Sequence, residues 1–262
     1  MRALNTAATG MMAMELNVQV IANNLANMTT TGYKRQRAEF QDLLYDHVSR
    51  IGTQTSAQGN ILPVGIDLGS GVKVVGTPRI MTQGTLTQTG GDLDVAIRGE
   101  GFFKIQMPDG TFAYTRDGSF QMDAQGRIVT AQGNVVMPTI TIPQNVTGLT
   151  INAQGQVSVI PQGSTTPTIL GQLTITRFIN QAGLLPIGNN MYTETPASGT
   201  PQDGIAGTDG AGDLLQGSLE QSNVDSVTEI TNLIAAQRAY EMNSKVITAA
   251  DQMLQSTSNL MR

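Results

Sequence analysis

No cysteine occurs in the chain, which removes disulfides, thiolate metal sites and cysteine nucleophiles. Tryptophan is also missing, and aromatics make up only 4% of 262 residues, a lean supply of core material. With 29 glycines, this composition suits many short strands and turns better than one large enzyme core. Positive charge is scarce: the net charge is −5 and no extended basic run offsets it. Nucleic acid and anionic lipid are therefore excluded as principal partners, because both need concentrated Lys and Arg. No apolar stretch approaches the ~20 residues that span a bilayer, so no membrane insertion is expected. The N-terminal sequence lacks the basic start, apolar run and cleavage site of a secretory signal peptide. These absences point to the cytoplasm, unless the chain leaves by a route that reads no cleaved signal.

What is present is patterned. Leu4, Ala7, Met11, Met14, Val18, Ile21, Leu25 and Met28 follow alternating steps of three and four, the a/d signature of a helix that packs along one seam. Glu15 is the only charge between Arg2 and Lys34, fewer than a free surface helix carries. Asn27, three β-branched threonines and Gly32 should end this helix. At the other end, Ser226-Val227-Thr228-Glu229 has capping-box spacing. Beyond it Leu233, Tyr240, Ile247, Leu254 and Met261 recur every seven residues, and Glu241 and Lys245 sit four apart in the favourable order.

Between the helices, from about Gly71 to about Gly217, the pattern predicts strands. Apolar and polar residues alternate in Thr139–Ile142, Gln156–Val159 and Leu173–Thr176. Turn signals fall at Pro108-Asp109-Gly110, Asp117-Gly118 and Gln132-Gly133-Asn134. Asp123-Ala124-Gln125-Gly126-Arg127-Ile128 resembles Asn152-Ala153-Gln154-Gly155-Gln156-Val157, which predicts two related hairpins. Thr53–Pro63 reads as a polar linker and Ala197–Gly212 as a loop. The expected fold is α+β. Long terminal helices pack as a coiled-coil-like assembly domain (1–30 with 222–262), a connecting segment covers 31–70, and a mostly antiparallel β-rich domain covers 71–221.

Periodicity by itself serves equally an intramolecular coiled coil and helices covered by neighbouring copies. An apolar, nearly uncharged helix has several faces to bury, and a self-association interface that does not close on itself gives a helical filament.

Ala22-Asn23-Asn24-Leu25-Ala26-Asn27, followed by Thr31-Gly32-Tyr33-Lys34, resembles the N-terminal signature of the flagellar rod and hook proteins. Gln237-Arg238-Ala239-Tyr240-Glu241-Met242-Asn243-Ser244-Lys245 resembles the family's C-terminal signature. Two motifs resemble its shared β-domain, Asp94–Phe103 and Tyr114–Phe120. These four motifs stand in the family's order over nearly the whole chain. Phe40–Tyr45 with the polar stretch to Pro63, Gly69–Val72 and Ser222–Asp225 resemble the distal rod branch; a proximal rod protein is the alternative.

The resemblance implies a non-enzymatic structural subunit of the basal body that polymerises into a straight rod, transmits torque and encloses the export channel. It implies export by the flagellar type III apparatus without signal cleavage, to a rod spanning periplasm to outer membrane. The implied partners are copies of itself, proximal rod proteins, the hook protein, P-ring and L-ring proteins, the export apparatus and a rod cap. The expected assembly residues are Leu4, Met11, Val18, Ile21, Asn23, Asn24, Leu25, Asn27, Leu233, Tyr240, Ile247 and Leu254. A rod-stiffening insertion is expected over 46–63, including Asp46, Ile51, Gln58 and Pro63.

Catalytic readings are weaker. His47 is the single histidine, and zinc sites or His-based triads need more. Asp92 and Asp94 share a strand face and form the one imaginable carboxylate pair for acting on peptidoglycan, but they read as solvated turn acids. Asp203, Asp209 and Asp213 lack calcium-loop spacing, and Gly99-Glu100-Gly101 lacks the third glycine and helix of a nucleotide fingerprint. No cofactor or metal is expected. The Asn23, Asn24 and Asn27 amides either bond between packed helices or mark a helix end of poor propensity.

Overall fold

The computed structural model describes residues 2–49, 64–163 and 166–260. Ile51, Gln58, Pro63 and Met261, with the linker Thr53–Pro63, lie outside the described residues. The chain divides into two compact units. One comprises Met1–Leu25, Gln36–Pro78 and Asp225–Arg262, and the other Ala26–Arg35 and Arg79–Val224.

The first unit holds the two helices, α1 (Arg2–Ala26) and α2 (Ser226–Leu260). Both follow from apolar periodicity in stretches free of proline. Beyond α1 come the threonine cluster and Gly32, whose φ of +68° is a left-handed conformation that glycine adopts without penalty. Among the described residues, no helix is long and apolar enough to cross a membrane. Strand pairing already begins at Glu39, ahead of the expected start near Gly71. Glu39–Asp42 pairs with Val72–Gly76, and Tyr45–Ser49 with Ile66–Gly69, both antiparallel. The Thr9 hydroxyl accepts from the Val72 amide at 3.4 Å, tying this ribbon to α1.

The second unit is β-rich and its pairings are antiparallel. Its largest sheet runs in the order Leu185–Gly188, Met191–Thr193, Phe112–Thr115, Phe102–Gln106, Val135–Met137, Ile128–Val129 and Gln121–Met122. Thr174–Arg177 also pairs with Phe102–Gln106 and carries Gln202–Ile205 on its other side. A second sheet joins Val146–Ile151, Gln156–Pro161 and Thr168–Gln172. Alternation sends Phe103, with Ile97, Ile128, Val157, Leu173 and Ile175, into one apolar core. Phe102 joins Tyr114, Phe178, Leu184 and Tyr192 in another. There the rings meet edge to face, Tyr114 on Phe178 at 4.8 Å between centroids, the geometry that aromatic quadrupoles favour.

Two local expectations need correction. Thr139–Ile142 alternates yet forms no strand. Ile140 and Ile142 are both buried, and the pairing left is one bridge between Thr141 and Arg127. The expected loop Ala197–Gly212 contains the strand Gln202–Ile205. Side chains hold it there: Asp203 accepts from Thr176 Oγ1 at 2.5 Å and from Lys104 Nζ at 2.7 Å.

The two related hairpins are present and share their turn hydrogen bonds. Asp123 Oδ1 accepts from the amides of Gln125 and Arg127, and Asn152 Oδ1 from those of Gln154 and Gln156. The carbonyls of Gly126 and Gly155 each accept one amide, from Ile142 and Leu173, at 2.7 Å.

Candidate functional site

Helix α2 starts one residue earlier than the capping-box reading had it. Asp225 Oδ1 accepts from the Thr228 amide at 2.8 Å, and the Asp225 carbonyl accepts from the Glu229 amide at 3.0 Å. Asp225 is therefore the cap, and that hydrogen bond helps to hold its carboxyl below the usual carboxylate range. With the cap role taken, Glu229 turns inward. Its carboxylate is buried and accepts from Asn24 Nδ2 at 3.2 Å. The same Asn24 amide donates to the Gln36 carbonyl at 2.8 Å, and its Oδ1 accepts from the Gln36 amide at 2.9 Å. One asparagine thus joins the end of α1, the connecting segment and the first turn of α2.

Of the expected assembly residues, Ile21 and Asn24 are buried. Leu4, Met11, Val18, Leu25, Asn27, Leu233 and Ile247 are half-buried, and Asn23 is exposed. Tyr240 and Leu254 remain 43% and 46% exposed. On α2 the buried positions are Glu229, Ala236 and Ala250, a small and polar row, while Ile230, Ile234, Met242, Val246 and Met253 face outward. Sequence reasoning missed this row because hydropathy gives alanine and glutamate little weight.

Asp46 lies in the exposed strand pair of the first unit and makes an ion pair with Arg2 at 2.5 Å. His47 Nδ1 lies 2.6 Å from Asp67 Oδ1, both largely exposed. Leu44, Tyr45, Val48, Ile66 and Leu68 are exposed as well, so this ribbon has apolar groups on its surface.

In the second unit the shared motifs converge on one buried ion cluster. Lys34 Nζ donates to Glu220 Oε1 at 2.5 Å and to the Thr82 carbonyl at 2.9 Å. Arg116 Nε stands 3.0 Å from Glu220 Oε2. The other Arg116 nitrogens donate to the carbonyls of Gly101 and Gly99 at 2.6 and 2.8 Å. Both glycines have positive φ, so the Gly99-Glu100-Gly101 turn presents two carbonyls to one guanidinium. These three charged side chains are at most 4% exposed. Burial first, and then the neighbouring Arg116 charge, lower the Lys34 pKa from its ordinary value.

Around the cluster, the entering and leaving chain are stitched together. The Gly32 amide donates to the Glu220 carbonyl at 2.8 Å, and the Arg35 amide to Asn223 Oδ1 at 2.8 Å. Arg79 stacks over Tyr33 and Tyr192. Glu220 was not legible as a partner, because an acid in a short strand reads as solvent-facing.

Three of the five carboxylates considered for chemistry are engaged structurally. Asp94 accepts from Thr89 Oγ1 at 2.5 Å, Asp203 is held by Lys104 and Thr176, and Asp213 is bridged by Arg98. Among the described residues, no group of three or more His, Asp or Glu is placed to hold a metal ion.

Three family models match parts of the chain. Residues 4–34 match the family "flagella basal body rod protein". Residues 96–159 match the "flagellar hook protein FlgE/F/G D1 domain", and 215–260 the "flagellar basal body rod FlgEFG protein C-terminal" family. The chain is 55% identical to the flagellar basal-body rod protein FlgG of Caulobacter vibrioides, over 99% of each chain. It is 50% identical to the FlgG of Buchnera aphidicola from Acyrthosiphon pisum, over 96% of each. It is 38% identical to the FlgG of Bacillus subtilis over the full length of both. The chain belongs to the flagellar basal-body rod protein family, whose members are structural components and not enzymes.

Proposed function

We propose that this structural subunit of the basal-body rod polymerises into the straight distal rod that carries motor torque to the hook and encloses the export channel. The observation that carries the reading is the apolar exposure of α2: Ile230, Ile234, Tyr240, Val246, Met253 and Leu254 are between 43% and 64% exposed, spread over several faces of the helix. Apolar exposure of this extent marks a region that other chains cover. Each side chain that leaves water on assembly contributes about 1.5–3 kcal/mol.

In this reading the helical ends (1–30 with 222–262) pack as a coiled-coil-like assembly domain. The segment 31–70 connects, its 46–63 portion stiffens the rod, and 71–221 forms the outer wall. Proximal rod proteins, the hook protein and the P- and L-ring proteins are its neighbours. It reaches them through the type III apparatus, beneath a rod cap, without signal cleavage. Circular dichroism of dilute chain and of polymer tests the role of the ends. Helicity should rise on assembly, and helicity already complete in a monomer that never assembles counts against the reading.

A further inference from the structure

Gly10 lies in the middle of α1, where glycine is the least favourable ordinary residue. The Asn243 side-chain amide lies over it. A Cβ at position 10 would sit 2.9 Å from Asn243 Nδ2, 3.3 Å from its Cγ and 3.4 Å from its Oδ1. The other fixed point between the helices is the hydrogen bond from Asn24 to Glu229. The chain advances fourteen residues from Gly10 to Asn24, and α2 spans the same fourteen from Glu229 to Asn243. Fourteen residues are two heptads, so both contacts lie on one face of each helix, and the helices run antiparallel.

The same face continues on α2 through Ala236 and Ala250, both buried. It continues on α1 through Asn17, which the register sets opposite Ala236. An apolar stripe repeating every seven residues looks the same after a one-heptad slip, so it cannot choose an alignment. Polar and small residues at single positions can.

We infer that Gly10 and Asn243 form the register stop of the α1–α2 pair, with Asn24 and Glu229 as its second point. Slipping one helix by a heptad takes the Glu229 carboxylate away from the Asn24 amide and Asn243 away from the one residue without a side chain. The stop acts within one chain and holds whether or not copies polymerise.

The absence of cysteine makes this testable by disulfide trapping in the full chain. Asn17→Cys with Ala236→Cys should oxidise readily to an intramolecular disulfide. Gly10→Leu in that background should lower the yield severalfold, and adding Asn243→Gly should restore it. Met12→Leu, on the exposed side of α1, should leave the yield unchanged. No disulfide in the parent pair, a yield indifferent to Gly10→Leu, or a loss that Asn243→Gly does not restore each overturns the register stop.

Discussion

Asn24 and Glu229 are separated by 205 residues, yet the Asn24 amide donates to the Glu229 carboxylate at 3.2 Å inside the helical unit. The Asn24 side chain also makes two hydrogen bonds to the backbone of Gln36. A carboxylate with so little water is tolerated because donors meet it, and α2 can spend Glu229 this way because Asp225 caps the helix instead.

Asn24→Ala removes a donor to a buried carboxylate and both bonds to Gln36. The loss expected is about 1–3 kcal/mol, concentrated where α2 begins. Hydrogen exchange should report it: amides of Thr228 to Thr231 should exchange faster, while those of the β-rich unit stay protected. Unchanged exchange in the first turn of α2 contradicts this role.

Glu220 faces two buried cations. Glu220→Ala leaves Lys34 and Arg116 without their counter-charge, and removing one member of a buried ion cluster costs about 3–5 kcal/mol. Chemical denaturation of the full chain, followed through the β-rich unit, should show this loss. Glu220→Gln should cost less, since the amide oxygen still accepts. Equal stability of the alanine variant and the parent removes the cluster from the account.

Tyr114 supplies a pH dependence. Burial, followed by the charges of Glu194 and Asp203, pushes its phenol up to about 12. Below pH 10 the folded and unfolded chains both hold this proton, and the stabilisation is complete. Between pH 10 and about 12 only the folded chain holds it, so stability falls as pH rises, by on the order of 1–3 kcal/mol. Denaturation at pH 9 and pH 11 should show a steeper fall in the parent than in Tyr114→Phe. Parallel behaviour of the two contradicts the assignment.

The ribbon around the 46–63 segment carries a separate expectation. Leu44, Tyr45, Val48, Ile66 and Leu68 are exposed on it, as suits a segment that other subunits cover. Deleting 46–63 should leave a chain that assembles into curved, hook-like polymer. An unaltered straight rod from that variant argues against a stiffening role.

Local interactions explain what the sequence made legible. The helices follow from apolar steps of three and four, and the paired hairpins from Asp123 and Asn152, each three residues ahead of a glycine. These signals act over a few residues and need no partner. The ion cluster depends on Lys34 meeting Glu220, 186 residues away, and no local pattern encodes that meeting. The buried row on α2 was hidden for a different reason. Its members are Glu229, Ala236 and Ala250, whereas hydropathy drew attention to Tyr240 and Leu254, which stay 43% and 46% exposed.

The central claim is self-assembly into a straight rod, and electron microscopy of the concentrated full-length chain tests it most directly. Straight tubes are expected, and they should be lost when Ile234, Tyr240 and Val246 are replaced together by serine. Dispersed particles at every concentration, or tubes that persist in the triple variant, contradict the account.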